Sequence, residues 1–169
     1  MTESQLAIAP AEAPDDTRDA LVGTDAIVVR LGNGRFAVDM ASVAEVGRAP
    51  AVTRVPGVPA WLSGVANWRG RILPVIDLRT LLGGEGDDPH ERRRLLVLVS
   101  GSIVVGMLVD SVDGTTTLTE IADFPATSTV GGSALVCGQV PREDGPIAVL
   151  SVEGMLRLRD QLPRGRRSA

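Results

Sequence analysis

LLVLVSGSIVVGMLV (95–109) is two apolar runs, Leu95–Val99 and Ile103–Val109, with Gly101-Ser102 between them. Both runs are rich in β-branched residues and too short for an ordinary helix, so they read as strands. A glycine-led pair between two such runs is a hairpin signal, because glycine supplies the backbone angles a tight turn demands. The pattern repeats outward in both directions. Ala26–Leu31 and Arg35–Asp39 flank Gly32-Asn33-Gly34, and Arg71–Ile76, Ala134–Val140 and Ile147–Val152 are further short apolar runs. Many short strands in so small a chain predict an all-β fold of closed or nearly closed barrels. A division near the polar loop Gly83–Glu91 gives two small barrels, each too small to be stable unless packed on the other.

Helices are few in this reading. Asp77 is placed to cap a turn or two through Leu82, with Gly83-Gly84 as the stop. Val58–Gly64 is a second helical candidate, with Pro59 in its first turn. Val152–Leu162 is the longest helical pattern and stops before Pro163. Residues 1–24, rich in Ala, Pro, Asp, Glu and Thr, read as a disordered N-terminal tail. Residues 161–169, with three Arg beside Pro163 and Gly165, read as a flexible C-terminal tail. The folded domain is then 25–160, its second half beginning near residue 92.

Composition narrows the function classes. The chain has 169 residues, 44% of them hydrophobic, enough for a sizeable core. A net charge of −4 gives no general pull toward nucleic acid or anionic lipid. Only Phe36, Trp61, Trp68 and Phe124 are aromatic, too few for base-stacking platforms. The lone Cys137 excludes an internal disulfide and fits a reducing compartment. No apolar run reaches the roughly 18 residues of a membrane span, and no basic region followed by an apolar stretch opens the chain. A soluble, cytoplasmic protein is the expectation.

Candidate chemistry is sparse. His90, the only histidine, sits in an acidic polar loop after Asp87 and Asp88; a metal site there needs more ligands held rigidly, and a solvated loop residue is the expectation. Cys137 lies in an apolar run and reads as a buried, inert thiol. Asp39, Asp77 and Asp110 border apolar runs, where caps and turns place carboxylates more often than catalysis does. The glycine-rich pieces lack the endings of phosphate-binding loops. Arg92-Arg93-Arg94 reads as a solvated cluster or a charged guard on a strand edge rather than a nucleic-acid contact. A non-enzyme without metal or cofactor is the expectation.

The segment Val55–Arg79 is more specific. Gly64 and Gly70 bracket a loop that presents Trp68 and Arg69, with Asn67 suited to bond its own backbone. Trp and Arg are the types most enriched at binding hot spots. Pro74 inside a strand points to an edge or a bulge. These residues fit a docking surface, and fit equally a core tryptophan beside a solvated arginine.

The stretch from Gly64-Val65 through Asn67-Trp68-Arg69-Gly70 and Pro74-Val75-Ile76-Asp77-Leu78-Arg79 resembles the signature of the CheW family, the bacterial chemotaxis coupling proteins. Arg35–Asp39 with Val43–Val46, and Val104–Val112, are similar to flanking parts of that family. The resemblance implies two five-stranded, SH3- or OB-like barrel subdomains packed together, and no catalytic site. It implies a scaffold between the cytoplasmic tip of methyl-accepting chemoreceptors and the regulatory domain of a CheA-type histidine kinase. Such a scaffold is monomeric alone, multimeric in arrays, and meets the membrane only through receptors. It makes Arg69 the functional arginine, with Trp68, Asn67 and Gly70 around it. Glu45 and Val38 fall at first-subdomain positions tied to receptor coupling. Trp68 departs from the family, where a smaller apolar residue is common.

Overall fold

The structure is a computed structural model and describes residues 15–83, 93–123 and 135–158. Ten strands fill most of it: β1 Asp25–Leu31, β2 Gly34–Asp39, β3 Val43–Arg48, β4 Leu62–Trp68, β5 Arg71–Asp77, β6 Arg94–Ser100, β7 Ile103–Val109, β8 Ser111–Thr117, β9 Val136–Val140 and β10 Ile147–Leu150. Three short helices accompany them: α1 Asp15–Leu21, α2 Leu78–Leu81 and α3 Val152–Arg157. The strands form two five-stranded sheets, in the orders β8-β1-β2-β10-β9 and β3-β6-β7-β5-β4. Each sheet rolls shut through one bridge at its ends. The chain after β8 reaches β9 at Ala122↔Gln139, and the chain after β3 reaches β4 at Thr53↔Val65. The two-barrel, five-stranded expectation therefore describes the fold.

The allocation of strands differs from a division near residues 83–91. One barrel, here barrel B, takes β3 to β7 in sequence, and barrel A takes β1 and β2 from one end with β8, β9 and β10 from the other. The polar loop falls between α2 and β6, inside barrel B's own connections. Its residues 84–92, His90 and Arg92 included, lie outside the described residues.

Three apolar clusters explain why the strands read as continuous runs. Ala26, Val28, Ala37, Cys137 and Val149 fill barrel A. Ala66, Leu73, Val75, Leu95, Val97 and Leu108 fill barrel B. The largest cluster lies between the barrels and combines Ile27, Val29 and Val38 of A with Leu96, Leu98 and Met107 of B. Successive strand residues face opposite sides. On β6, Leu95 and Val97 point into barrel B while Leu96 and Leu98 point at barrel A. A strand with a core on each side needs apolar residues at every position. Burial at the Cys137 thiol also pushes its pKa up, as an inert core group requires.

A polar joint ties the barrels beside this core. Asp110, at the β7–β8 junction, accepts from the Gly32 amide at 2.7 Å and from Arg79 Nη2 at 2.6 Å, while its own amide donates to the Arg30 carbonyl at 3.0 Å. Arg93 grips Asp77 with both Nη atoms, at 2.8 and 3.0 Å. Arg93 is 6% exposed, so it is a buried ion-pair member and not the solvated guard the basic run suggested. The cap expectation holds for Asp77, which accepts from the Arg79 and Thr80 amides, and for Asp39, which caps a short 3-10 turn over Met40–Ser42.

Several local expectations need correction. Val58–Gly64 is no helix: Leu62, Gly64 and Ala66 alternate inward on β4, and Gly64 has φ +142°. A Cβ on Gly64 would sit 2.0 Å from the Thr53 carbonyl oxygen, so glycine is what lets the barrel close there. β3 and β8 were not expected, since neither carries an apolar run. Pro74 lies on β5, an interior strand flanked by β4 and β7. Its partner Val65 spends both backbone groups on Thr53, so no ladder bond to β4 is due at Pro74, and the β7 pairing starts only at Val75. The tail reading of 1–24 fails at Asp15–Leu21, which is helical. Leu21 packs against the barrel A core, and Arg18 Nε donates to the Cys137 carbonyl at 3.0 Å. Residues 1–14 and 159–169, with the end of the Val152–Leu162 pattern, lie outside the described residues.

Two stability measurements follow from closure and joint. Gly64→Ala is expected to cost about 2–3 kcal/mol in urea unfolding, from strain plus the clash. Gly101→Ala, at φ +58° with open space around it, is expected to cost about 1 kcal/mol. At Asp77, burial raises the carboxyl pKa, but the Arg93 hydrogen bonds and charge, with the Thr80 and Arg79 amides, outweigh it and leave the pKa lowered. A lowered carboxyl stabilises the fold fully above the ordinary aspartate pKa of about 3.9, and the contribution is lost as pH falls through the lower folded value. Asp77→Asn should therefore lose about 3 kcal/mol near neutrality, and its gap to wild type should narrow below about pH 4.

Candidate functional site

The site grows from the β4–β5 hairpin. Trp68 pairs with Arg71, leaving a two-residue turn of Arg69 and Gly70. Their φ values are +51° and +81°, the both-positive pattern of the hairpin turn whose twist suits its strands. Asn67 Oδ1 accepts from the Gly70 amide at 3.0 Å and braces the turn. Arg69 is the only non-glycine with positive φ among the described residues. That backbone costs on the order of 1 kcal/mol or more, and such strain gathers at functional sites. The loop expected between Gly64 and Gly70 is thus mostly strand, with a minimal turn at its end.

Trp68 points inward with Ala66 and Leu73 and closes the end of the barrel B core. Its ring crosses to the opposite end strand, β3, and lies against Gly47, where a Cβ would come within 2.5 Å of the indole. The indole Nε1 donates to Glu45 Oε2. The other carboxylate oxygen of Glu45 pairs with Arg69 Nε at 3.2 Å. One carboxylate on β3 therefore holds two donors from the β4–β5 hairpin. Arg69 itself remains 74% exposed, against 33% for Glu45. The even choice between docking surface and core resolves residue by residue: the tryptophan is half-buried, packed on the core and lining a cleft beside it, and the arginine is exposed.

Beside the pair lies a cleft of about 310 Å³ with Leu73, Val97, Val99 and Val104 as its apolar floor and Glu45, Arg69 and Arg71 at its rim. On the outer face of the same hairpin, Ile72 is 68% exposed. The structure thus brings together Asn67, Trp68, Arg69, Gly70 and Glu45. It leaves out Val38, which is 0% exposed on β2 of barrel A, in the core between the barrels. No partner can touch that side chain, so its assignment as a contact residue is corrected. Gly47, Arg71, Val99 and Val104 were missed, and nothing local in the sequence ties them to residue 69. Among the described residues, no group of three or more His, Cys, Asp or Glu could hold a metal ion. None of the described helices is long and apolar enough to cross a membrane.

The comparisons with known proteins agree with this geometry. The CheW-like domain family matches residues 25–160. The chain is 39% identical over 97 residues to Protein PilI of Pseudomonas aeruginosa, covering 57% of this chain and 54% of that one. It is 37% identical over 105 residues to Chemotaxis protein CheW of Klebsiella aerogenes, covering 62% and 63%. It is 40% identical over 85 residues to Protein FrzA of Myxococcus xanthus, covering 50% and 53%. The matched stretch thus spans less than two thirds of each of these relatives. The crystal structure of the scaffolding protein TtCheW from Thermoanaerobacter tengcongensis matches with a TM-score of 0.69 at 26% identity, over 78% of this chain and 90% of that one. Two rolled five-stranded sheets sharing a core, with a braced hairpin exposed on one of them, define a double-barrel β domain. The chain belongs to the CheW-like domain family.

The division of labour at the hairpin is measurable. Trp68→Ala should cost about 3 kcal/mol by opening the barrel B core. Arg69→Ala should shift stability by less than about 1 kcal/mol, as an exposed ion pair contributes little. Urea unfolding of the two variants checks both values.

Proposed function

We propose that the chain is a non-enzymatic scaffold that couples chemoreceptors to a CheA-type histidine kinase in chemotaxis signalling. The observation that carries this reading is the Glu45–Arg69 pair, held on a strained turn beside an apolar cleft and exposed on one of two barrels that share a core. Strain and exposure together suit a contact that partners compete for, since burial would have served stability alone. The receptor tip, a helical hairpin, would lay apolar side chains on the cleft floor and polar ones on its rim. The space between the barrels is filled by side chains, which supports barrel B's open cleft as the receptor contact. The regulatory domain of the kinase would take another exposed strand surface, and Ile72 is the most exposed large apolar side chain among the described residues for it. Signal passes only if receptor states bind the cleft unequally. Modest single contacts gain strength in a cytoplasmic array of many copies.

A second reading is the same adaptor role in a twitching-motility or other chemosensory-like pathway. The likeness to PilI and FrzA, proteins not named CheW, favours it. The two readings differ in partners and not in the chemistry of the site.

The test is co-purification with the organism's own receptor tips and CheA-type kinases, using wild type and Arg69→Ala. Arg69→Ala should keep the wild-type circular dichroism and lose about tenfold in partner recovery and kinase control. Unchanged recovery and control would remove Arg69 from the coupling. Recovery of a pilus-pathway kinase in place of a chemotaxis one would select the second reading.

A further inference from the structure

Glu45 answers to two donors, and they differ in how free they are. Trp68 is fixed, its ring wedged against Gly47 and the barrel B core. Arg69 is 74% exposed on a turn tip, with water on most of its side chain. If the arginine leaves, Glu45 keeps one charge-assisted hydrogen bond from the indole. Without the indole, departure would strand a carboxylate that is only 33% exposed, next to an apolar cleft. A partly buried charge without a partner is costly.

We propose that Trp68 is a positioning residue that retains Glu45 and so frees Arg69 to exchange its internal carboxylate for one on the partner. The cleft then fits a protein segment in which an acidic side chain lies next to an apolar one. The apolar group meets Val99 and Val104, the half-buried apolar residues lining the cleft, and the carboxylate meets Arg69 with Arg71 beside it. Charge complementarity selects this occupant, because both exposed cations at the rim are arginines and Glu45, the acid there, is already held. Arginine's planar fork suits a two-point grip on a carboxylate. A smaller apolar residue at position 68 would offer Glu45 no such second donor, so exchange there would break the only bond the acid has. This deepens the scaffold reading and rests on it for the identity of the partner.

The test uses the full chain and, as probe, a receptor-tip fragment from the same organism. Trp68→Phe keeps a ring but loses the N–H, and should weaken probe binding about tenfold. Adding Glu45→Gln should restore binding to within about twofold of wild type, because an amide neither holds Arg69 nor strands a charge. A purely structural Trp68 would not be rescued this way. Probe fragments with surface Glu and Asp replaced by Gln and Asn should bind wild type and Arg69→Ala alike. A second arm needs no partner. In Arg69→Ala, the Trp68 indole N–H should stay protected from hydrogen exchange by nuclear magnetic resonance, and Glu45→Ala should abolish that protection. Wild-type affinity in Trp68→Phe, failure of the Glu45→Gln rescue, or an unprotected indole in Arg69→Ala would each overturn the proposal. A wild-type protein that binds no receptor tip, with the indole still protected, would sink the scaffold reading and leave the retention of Glu45 standing.

Discussion

The apolar core between the barrels is the constraint on which the rest depends. Neither barrel interior is large: barrel A is filled by residues such as Ala26, Val28 and Cys137, and barrel B by residues such as Ala66, Val75 and Leu95. Small cores alone give small domains little stability. The shared cluster, with Val29, Val38, Leu96, Leu98 and Met107 fully buried, adds what each barrel lacks. The same requirement sets the topology. Barrel A borrows strands from both ends of the described domain, so barrel B is held inside it by two chain crossings. Asp110 sits at one of them, binding the β1–β2 turn at Gly32 and Arg79 of barrel B. Such a joint fixes how the barrels face each other.

On that frame the hairpin holds Arg69 exposed at its tip. Closure of barrel B brings β3 and β4 to the same seam, and Trp68 seals it against Gly47. Glu45, on β3, meets the hairpin only because the barrel is shut. The site is thus a consequence of barrel closure, which brings Glu45 to Trp68 and Arg69. A conformational change that loosened the seam would alter Glu45, Trp68 and Arg69 together.

How much of this was legible in the sequence follows from where information is local. Strands with a core on each side, such as β1, β6 and β7, announce themselves as unbroken apolar runs. β3 shows no such run, because Ala44, Val46 and Arg48 face solvent, and β8 is mostly Thr, Asp and Gly on an exposed surface. β4 passed for a helix start because Pro59 and Gly64 are ambiguous signals, and only the close approach of Thr53 explains Gly64. The barrel assignment of each strand was not legible, since a long crossover leaves no mark on local pattern. The hairpin arginine was legible through its motif, and its pairing with Glu45 across the closed barrel was not. Arg93 looked solvated because its partner Asp77 lies across the polar loop, and Val38 looked like a contact because a motif match carries no burial.

The central claim is that one shared core makes the two barrels a single unit. Equilibrium urea unfolding can follow each barrel separately in a Trp61→Phe protein. Trp68 emission reports barrel B, and thiol labelling of Cys137 reports barrel A. The account predicts coincident transitions with one midpoint. Two separated transitions, with Cys137 exposed while Trp68 emission stays native or the reverse, would contradict it.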